Sequence, residues 1–205
     1  MVNLGILISG RGSNMDAILS AIESGRISNV KPCVVISNKP DAAGLKTASE
    51  KYGVPTAVLP ADGLKGWDYD QKLVALLQRH GVHPESGLVC LAGFMRIMSP
   101  EFVRMYKMKI LNIHPALLPS FPGLHAQRQA LDYGVRVTGC TVHFVDEGVD
   151  SGPVILQKTV QVMEDDTEET LSAKILEQEH QLYPEAVRLF ADGKLDVRGR
   201  TVKIR

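Results

Sequence analysis

The sequence predicts an α/β fold: a Rossmann-like, mostly parallel sheet flanked by helices, with an antiparallel β extension near the C-terminus. Three observations predict it. Short aliphatic runs alternate with longer amphipathic stretches through the first half, the pattern of a parallel sheet covered by helices. The run 87–92 is apolar throughout, as a strand buried on both faces must be. Beyond about residue 135, two β-rich segments follow one another with no room for a helix between them, which predicts antiparallel pairing.

The elements follow in order. Residues 2–8 form the first strand, and after the loop Ser9-Gly10-Arg11-Gly12-Ser13-Asn14 the apolar residues Ile18, Leu19 and Ile22 keep helical spacing, with Gly25 as a C-terminal stop. A strand at 32–37, a helix at 42–52, a short strand at 56–59 and a helix at 68–80 lead into the central strand 87–92. Ser99-Pro100 opens a further helix, serine as N-cap and proline at the first helical position. A short strand at 110–113 stops at Pro115. The segments 137–145 and 154–162 are the antiparallel pair, and a long helix spans 167–191, opened by Asp166 with Glu169 three residues on. The tail 195–204 turns at Arg198-Gly199 as a small hairpin.

With 205 residues, 44% hydrophobic, and no repeat, low-complexity tract or linker, residues 1–205 read as one domain with a sizeable core. Lys and Arg (23) balance Asp and Glu (23), so the broad electrostatic attraction that nucleic-acid or anionic-membrane binding relies on is missing. No nucleic-acid or membrane partner is expected, and any phosphate must be met locally. Cys33, Cys90 and Cys140 are odd in number and sit in apolar stretches, so they read as buried hydrophobes. There is no CxxC pair and no His/Cys cluster at zinc spacing, so no structural metal is expected. Neither a signal peptide nor an apolar run of membrane-spanning length is seen, and a reducing cytoplasm is the expected location. A neutral surface fits a monomer or a homodimer.

The glycine loop, residues 9–14, lies where a strand hands over to a helix, so unpaired backbone N–H groups and the positive end of the helix dipole point into the turn. Gly12, Ser13 and Asn14 suit a monophosphate ligand, although a plainly capped turn would look similar. Met15 occupies the place of the third glycine of a dinucleotide fingerprint, and the Gly-Lys pair of a nucleoside triphosphate loop is absent.

Asn112 and His114 are two apart on a short strand, so their side chains leave the same face, near the sheet edge where open α/β folds place ligands. Glu179 interrupts the helical series Leu171, Ile175, Leu182 and Ala186. A carboxylate in an apolar stripe must either be exposed by a roll of the helix or meet a partner.

Asn112-Ile-His-Pro-Ala-Leu-Leu-Pro119, Pro122-Gly-Leu-His125, Gly139-Cys-Thr-Val-His143 and Asp150-Ser-Gly-Pro-Val-Ile155 occur in this order. In these motifs, and from the glycine loop to the final helix, the chain resembles the folate-dependent formyltransferases. The resemblance implies that the formyl group of 10-formyltetrahydrofolate passes to the amine of glycinamide ribonucleotide, with no covalent enzyme intermediate and no metal. Amine attack on an amide-like carbonyl creates a tetrahedral oxyanion, which needs donors where the charge develops. Asn112 through its NH₂, and His114 when protonated, would supply them. Asp150 would raise the His114 pKa toward working pH and order a proton-relaying water.

The same resemblance implies that Met95, Arg96, Ile97 and Met98 line a pterin pocket, with Asn112 also on the folate side. It implies that the loop 146–150, with Asp146 and Val149, closes over the folate. Glu179 is implied to bind the ribonucleotide, at its ribose hydroxyls. His125 and His143 are read as supporting residues, because among the histidines only His114 has a polar neighbour on its own strand face. Three rival readings are a hydrolase passing the formyl group to water, a transfer-RNA formyltransferase, which would need a basic surface, and a non-catalytic binding module on the same fold.

Overall fold

Side-chain alternation along the central strands sorts the apolar residues onto two faces, and helices cover both. In the computed structural model, which describes residues 1–205, strand β1 (Val2–Ile8) sends Leu4, Ile6 and Ile8 into one core cluster and Leu7 into the other. The larger cluster lies under α1 (Ser13–Glu23), α2 (Ala43–Tyr52) and α6 (Glu168–Ala191). The smaller lies under α3 (Gly66–Arg79) and α4 (Pro100–Met105). The remaining helix, α5 (Ala126–Tyr133), precedes the antiparallel strands.

The other strands are β2 (Val30–Ser37), β3 (Thr56–Val58), β4 (Gly87–Leu91), β5 (Ile110–His114), β6 (Val137–Phe144), β7 (Val154–Gln161), β8 (Leu195–Arg198) and β9 (Thr201–Ile204). All nine join one sheet in the order β3-β2-β1-β4-β5-β6-β7-β9-β8. Pairing is parallel from β3 through β5, then antiparallel for β5–β6, β6–β7 and β8–β9. The expected fold class is the observed one. Strands β2 and β4 flank β1 on opposite sides, so the chain reverses its winding direction there, and a crevice opens beyond the carboxyl ends of β1 and β4.

Several details differ from the sequence expectations. Strand β2 starts two residues early and contains Pro32, which has no N–H to donate; the register slips by one at Cys33 to accommodate it. The N-cap of α6 is Thr167, not Asp166: Thr167 and Thr170 form the reciprocal capping box. Asp166 instead accepts from Lys174 Nζ and from the backbone N–H of Met163. Helix α5 has no counterpart among the expected elements, because it buries only Ala126 and Ala130 and so carries almost no apolar period. The three cysteines are free and buried, as expected.

Helix α6 is seated by Tyr183, which is fully buried; its hydroxyl lies 3.0 Å from the carbonyl of Leu91, the last residue of β4, and 2.9 Å from that of Leu111, the second residue of β5. One turn earlier on the same helix stands Glu179.

Candidate active site

The loop after β1 and the loop after β4 line a cavity of about 220 Å³, formed by residues 9–14 together with Ala92, Gly93 and Met95. Ser9 joins the two walls. Its backbone N–H donates to the Gly93 carbonyl, its hydroxyl accepts from the Met95 N–H at 2.8 Å, and it donates to Asn38 Oδ1 at 2.6 Å. Gly12 precedes α1 in the left-handed region (φ 72°) and no side chain caps the helix, so the amides of its first turn open toward the cavity. Gly44 packs against this loop so closely that a Cβ there would press on the Arg11 and Gly10 carbonyls. No side chain caps the turn at Gly12, Ser13 and Asn14, so the alternative of a side-chain-capped turn is not what forms.

Asn14, which lines the cavity, meets Glu179 of α6. Glu179 is 6% exposed and accepts from Asn14 Nδ2 at 2.7 Å, so the carboxylate in the apolar stripe is buried with a partner. Burial outweighs that single hydrogen bond and pushes the Glu179 pKa up to about 7. Asn14 Oδ1 is enclosed without a partner.

The second half of the site is adjacent, because Asn112 pairs with Leu91 across β4 and β5. Asn112 and His114 share a face of β5, as their spacing predicts. Asp150 lies opposite them, in the left-handed region (φ 50°), at the end of the loop between β6 and β7. Its Oδ2 accepts from the Gly123 N–H at 2.8 Å and lies 3.3 Å from His114 Nδ1; its Oδ1 lies 3.4 Å from Asn112 Nδ2 and 3.6 Å from His143 Nε2. Burial alone would raise the Asp150 pKa, but its hydrogen-bonded surroundings, the Gly123 N–H among them, hold it below the ordinary carboxylate value.

His114 differs from expectation. It is 4% exposed, and burial lowers its pKa below the usual histidine value despite the Phe121 carbonyl and Asp150 working the other way. The resting ring is proton-poor, whereas the sequence points to a raised pKa. His114 Nε2 lies 2.8 Å from the Phe121 carbonyl, so that nitrogen carries the hydrogen and Nδ1 faces Asp150. Phe121 itself has a positive φ of 54°, a strained conformation for an aromatic residue, held where it meets the histidine.

His143, a supporting residue in the sequence reading, belongs to this cluster. It is the cross-strand partner of Asn112, with Nε2 at 3.3 Å from Asn112 Nδ2. The antiparallel β5–β6 register brings them side by side, a pairing that spacing within one strand could not reveal. Phe121 and Gly123 escape sequence reasoning because they act through backbone groups. His125 is exposed in the left-handed region before α5 and stays outside the cluster.

The residues expected to line a pterin pocket divide. Met95 and Ile97 present exposed apolar faces (67% and 80%), whereas Met98 is enclosed in the core beside Phe94 and Phe102. The Arg96 guanidinium lies 3.8 Å over the Tyr69 ring and donates to the Leu64 carbonyl at 2.9 Å, while its Nε is buried without a partner. In the loop 146–150, Asp146 accepts from Ser151 Oγ at 2.6 Å and from the Gly148 N–H at 3.1 Å, and Val149 is 55% exposed. Asp146 thus shapes the loop that carries Asp150.

The sequence profile of the formyl transferase family matches residues 2–187. Phosphoribosylglycinamide formyltransferase of Escherichia coli (strain K12) is 44% identical over 195 residues, covering 95% of this chain and 89% of that protein. The trifunctional purine biosynthetic protein adenosine-3 of Drosophila melanogaster is 43% identical over 92% of this chain, which spans only 14% of that longer protein. Among solved structures, glycinamide ribonucleotide transformylase 1 from Symbiobacterium toebii superposes with a TM-score of 0.93 at 49% identity, covering 100% of this chain and 94% of that one. A formyltetrahydrofolate deformylase from Pseudomonas syringae pv. tomato superposes with a TM-score of 0.89 at 26% identity, covering 99% of this chain and 65% of that one. With nearly its whole length matched in sequence and in fold, this chain belongs to the formyl transferase family.

Proposed function

We propose that this protein transfers the formyl group of 10-formyltetrahydrofolate to the amine of glycinamide ribonucleotide, in de novo purine biosynthesis. The observation that carries the reading is the Asp150 carboxylate set between His114 and Asn112, one strand away from a cavity that opens onto a helix N-terminus. The helix terminus at Gly12, Ser13 and Asn14 suits the ribonucleotide phosphate, and the Glu179 carboxylate suits its hydroxyls. The exposed apolar faces of Met95, Ile97 and Val149 suit the flat pterin of the folate.

In the reaction, the amine nitrogen bonds to the formyl carbon and the carbonyl oxygen becomes an oxyanion, stabilised by an N–H of Asn112. The amine then loses a proton. His114, neutral at rest with Nδ1 turned toward Asp150, is placed to accept it, because a proton arriving between the imidazole and the carboxylate is welcomed by both. The same proton passes to N10 of the folate as the carbon–N10 bond breaks and tetrahydrofolate leaves. This assigns His114 as a relay and Asn112 as the oxyanion donor.

The test mixes the protein with 10-formyltetrahydrofolate and follows tetrahydrofolate release with and without glycinamide ribonucleotide. Release that requires the ribonucleotide supports the reading. Release without it indicates hydrolysis, the activity named for the Pseudomonas syringae neighbour. No release in either case leaves a binding module.

A further inference from the structure

We infer that His143 is a positioning residue that fixes the orientation of the Asn112 carboxamide, so that an N–H and not the carbonyl oxygen meets the oxyanion; the catalytic part of this inference rests on the formyl transfer proposed above. His143 reaches Asn112 from β6 as its direct cross-strand partner, beside the point where β7 carries an extra residue, Ile155, in its pairing with β6. His143 Nδ1 lies 2.8 Å from the Phe144 carbonyl. A carbonyl only accepts, so Nδ1 carries the hydrogen, and in the neutral ring Nε2 presents a lone pair.

That lone pair faces Asn112 Nδ2 at 3.3 Å, and Asp150 Oδ1 lies 3.4 Å from the same nitrogen. Turning the carboxamide over would set Asn112 Oδ1 against a lone pair and a carboxylate oxygen, three acceptors with no hydrogen among them. His143 is 2% exposed, so water is poorly placed to relieve that clash. One amide hydrogen is therefore held by His143. The other lies on the longer contact to Asp150 and is free to be drawn to a developing oxyanion.

The experiment compares His143→Leu, which removes the acceptor, with His143→Gln, which can restore an oxygen near the Nε2 position. In the unliganded protein, the side-chain amide signal of Asn112, identified by its loss in Asn112→Asp, is expected to be shifted by hydrogen bonding in the wild type and the Gln variant, and to move to an unbonded position in the Leu variant. In turnover, the Leu variant should lose about 10- to 100-fold in kcat, less than the roughly 10²–10³ for outright loss of an oxyanion donor. KM for either substrate should change little, and the Gln variant should recover most of the rate. An unmoved Asn112 signal, an unchanged kcat, a loss confined to KM, or a Gln variant as slow as the Leu variant would each overturn the inference. Should the wild type transfer no formyl group, the proposed function fails, while the Asn112 signal still decides the role of His143. The Gln variant carries the test if the Leu variant does not fold.

Discussion

Replacing Glu179 by Gln should make the protein more stable in neutral and alkaline solution and leave it almost unchanged in acid. Glu179 is 6% exposed with a single donor, Asn14 Nδ2, at 2.7 Å, and its pKa stands at about 7 against an ordinary 4.5. A raised carboxyl pKa means that the folded state holds a proton that the unfolded chain has released. The contribution of the protonated group to stability is complete below about pH 4.5 and is lost as pH rises through about 7. A tenfold change in a protonation equilibrium is worth about 1.4 kcal/mol, so the ionised carboxylate above pH 7 costs the fold about 3 kcal/mol. Gln keeps an oxygen to accept from Asn14 and carries no charge. Thermal denaturation of both proteins from acid to alkaline pH at constant ionic strength should show melting temperatures that converge at low pH. They should separate by about 6–12 °C above pH 7, using about 2–4 °C per kcal/mol for a chain of this size. Parallel curves across the whole range would refute the reasoning, because they would mean that Glu179 ionises in the folded protein as readily as in the unfolded one.

Three further outcomes are expected. Asp150→Asn should lower kcat by about two powers of ten or more, since the amide can no longer share an arriving proton with His114; steady-state kinetics in a folded variant decide this. Because burial holds the folded pKa of His114 below 6.5, its contribution to stability is full above pH 6.5 and is lost as pH falls through the lowered value. The kcat profile should fall over the same acidic window as the ring loses its free Nδ1, and His114→Gln should abolish that limb in both measurements. Gly12→Ala forces a side chain into φ 72° with its Cβ 3.2 Å from Gly44 Cα. It should destabilise the fold by about 1–2 kcal/mol in urea titrations and raise KM for the ribonucleotide more than for the folate.

Most of the fold is legible in the sequence because its signals are local. The apolar run of β4, the serine and proline that open α4, and the spacing along α1 each report structure from a few consecutive residues. Helix α5 is illegible for the opposite reason, having two buried alanines and no stripe. Within the site, Asn112 and His114 are visible as a pair because a strand puts alternate residues on one face. Glu179 stands out because a charge in an apolar stripe demands a partner, although nothing in the sequence says that the partner is Asn14. His143 is recognisable as a histidine but not as a neighbour of Asn112, since that contact depends on the register between two strands. The direction of the His114 pKa is misjudged from sequence for a related reason: the nearby carboxylate can be foreseen from the Asp150 motif, while the depth of burial that overrides it belongs to the packed structure.

The Tyr183 hydroxyl rests on the backbone of both β4 and β5. It thereby acts as a gauge block between the two half-sites. Glu179, the partner of Asn14, rides on α6, whereas Asn112 and His114 are carried by β5, and the loop of Met95 and Ile97 leaves β4. A reaction that joins two separately bound molecules works only if the gap between their reactive atoms is held constant, and in this fold that gap is set in part by a buried phenol whose hydroxyl meets the backbone one residue before Asn112. Drift in α6 would leave each half-site intact and still separate the nucleophile from its electrophile.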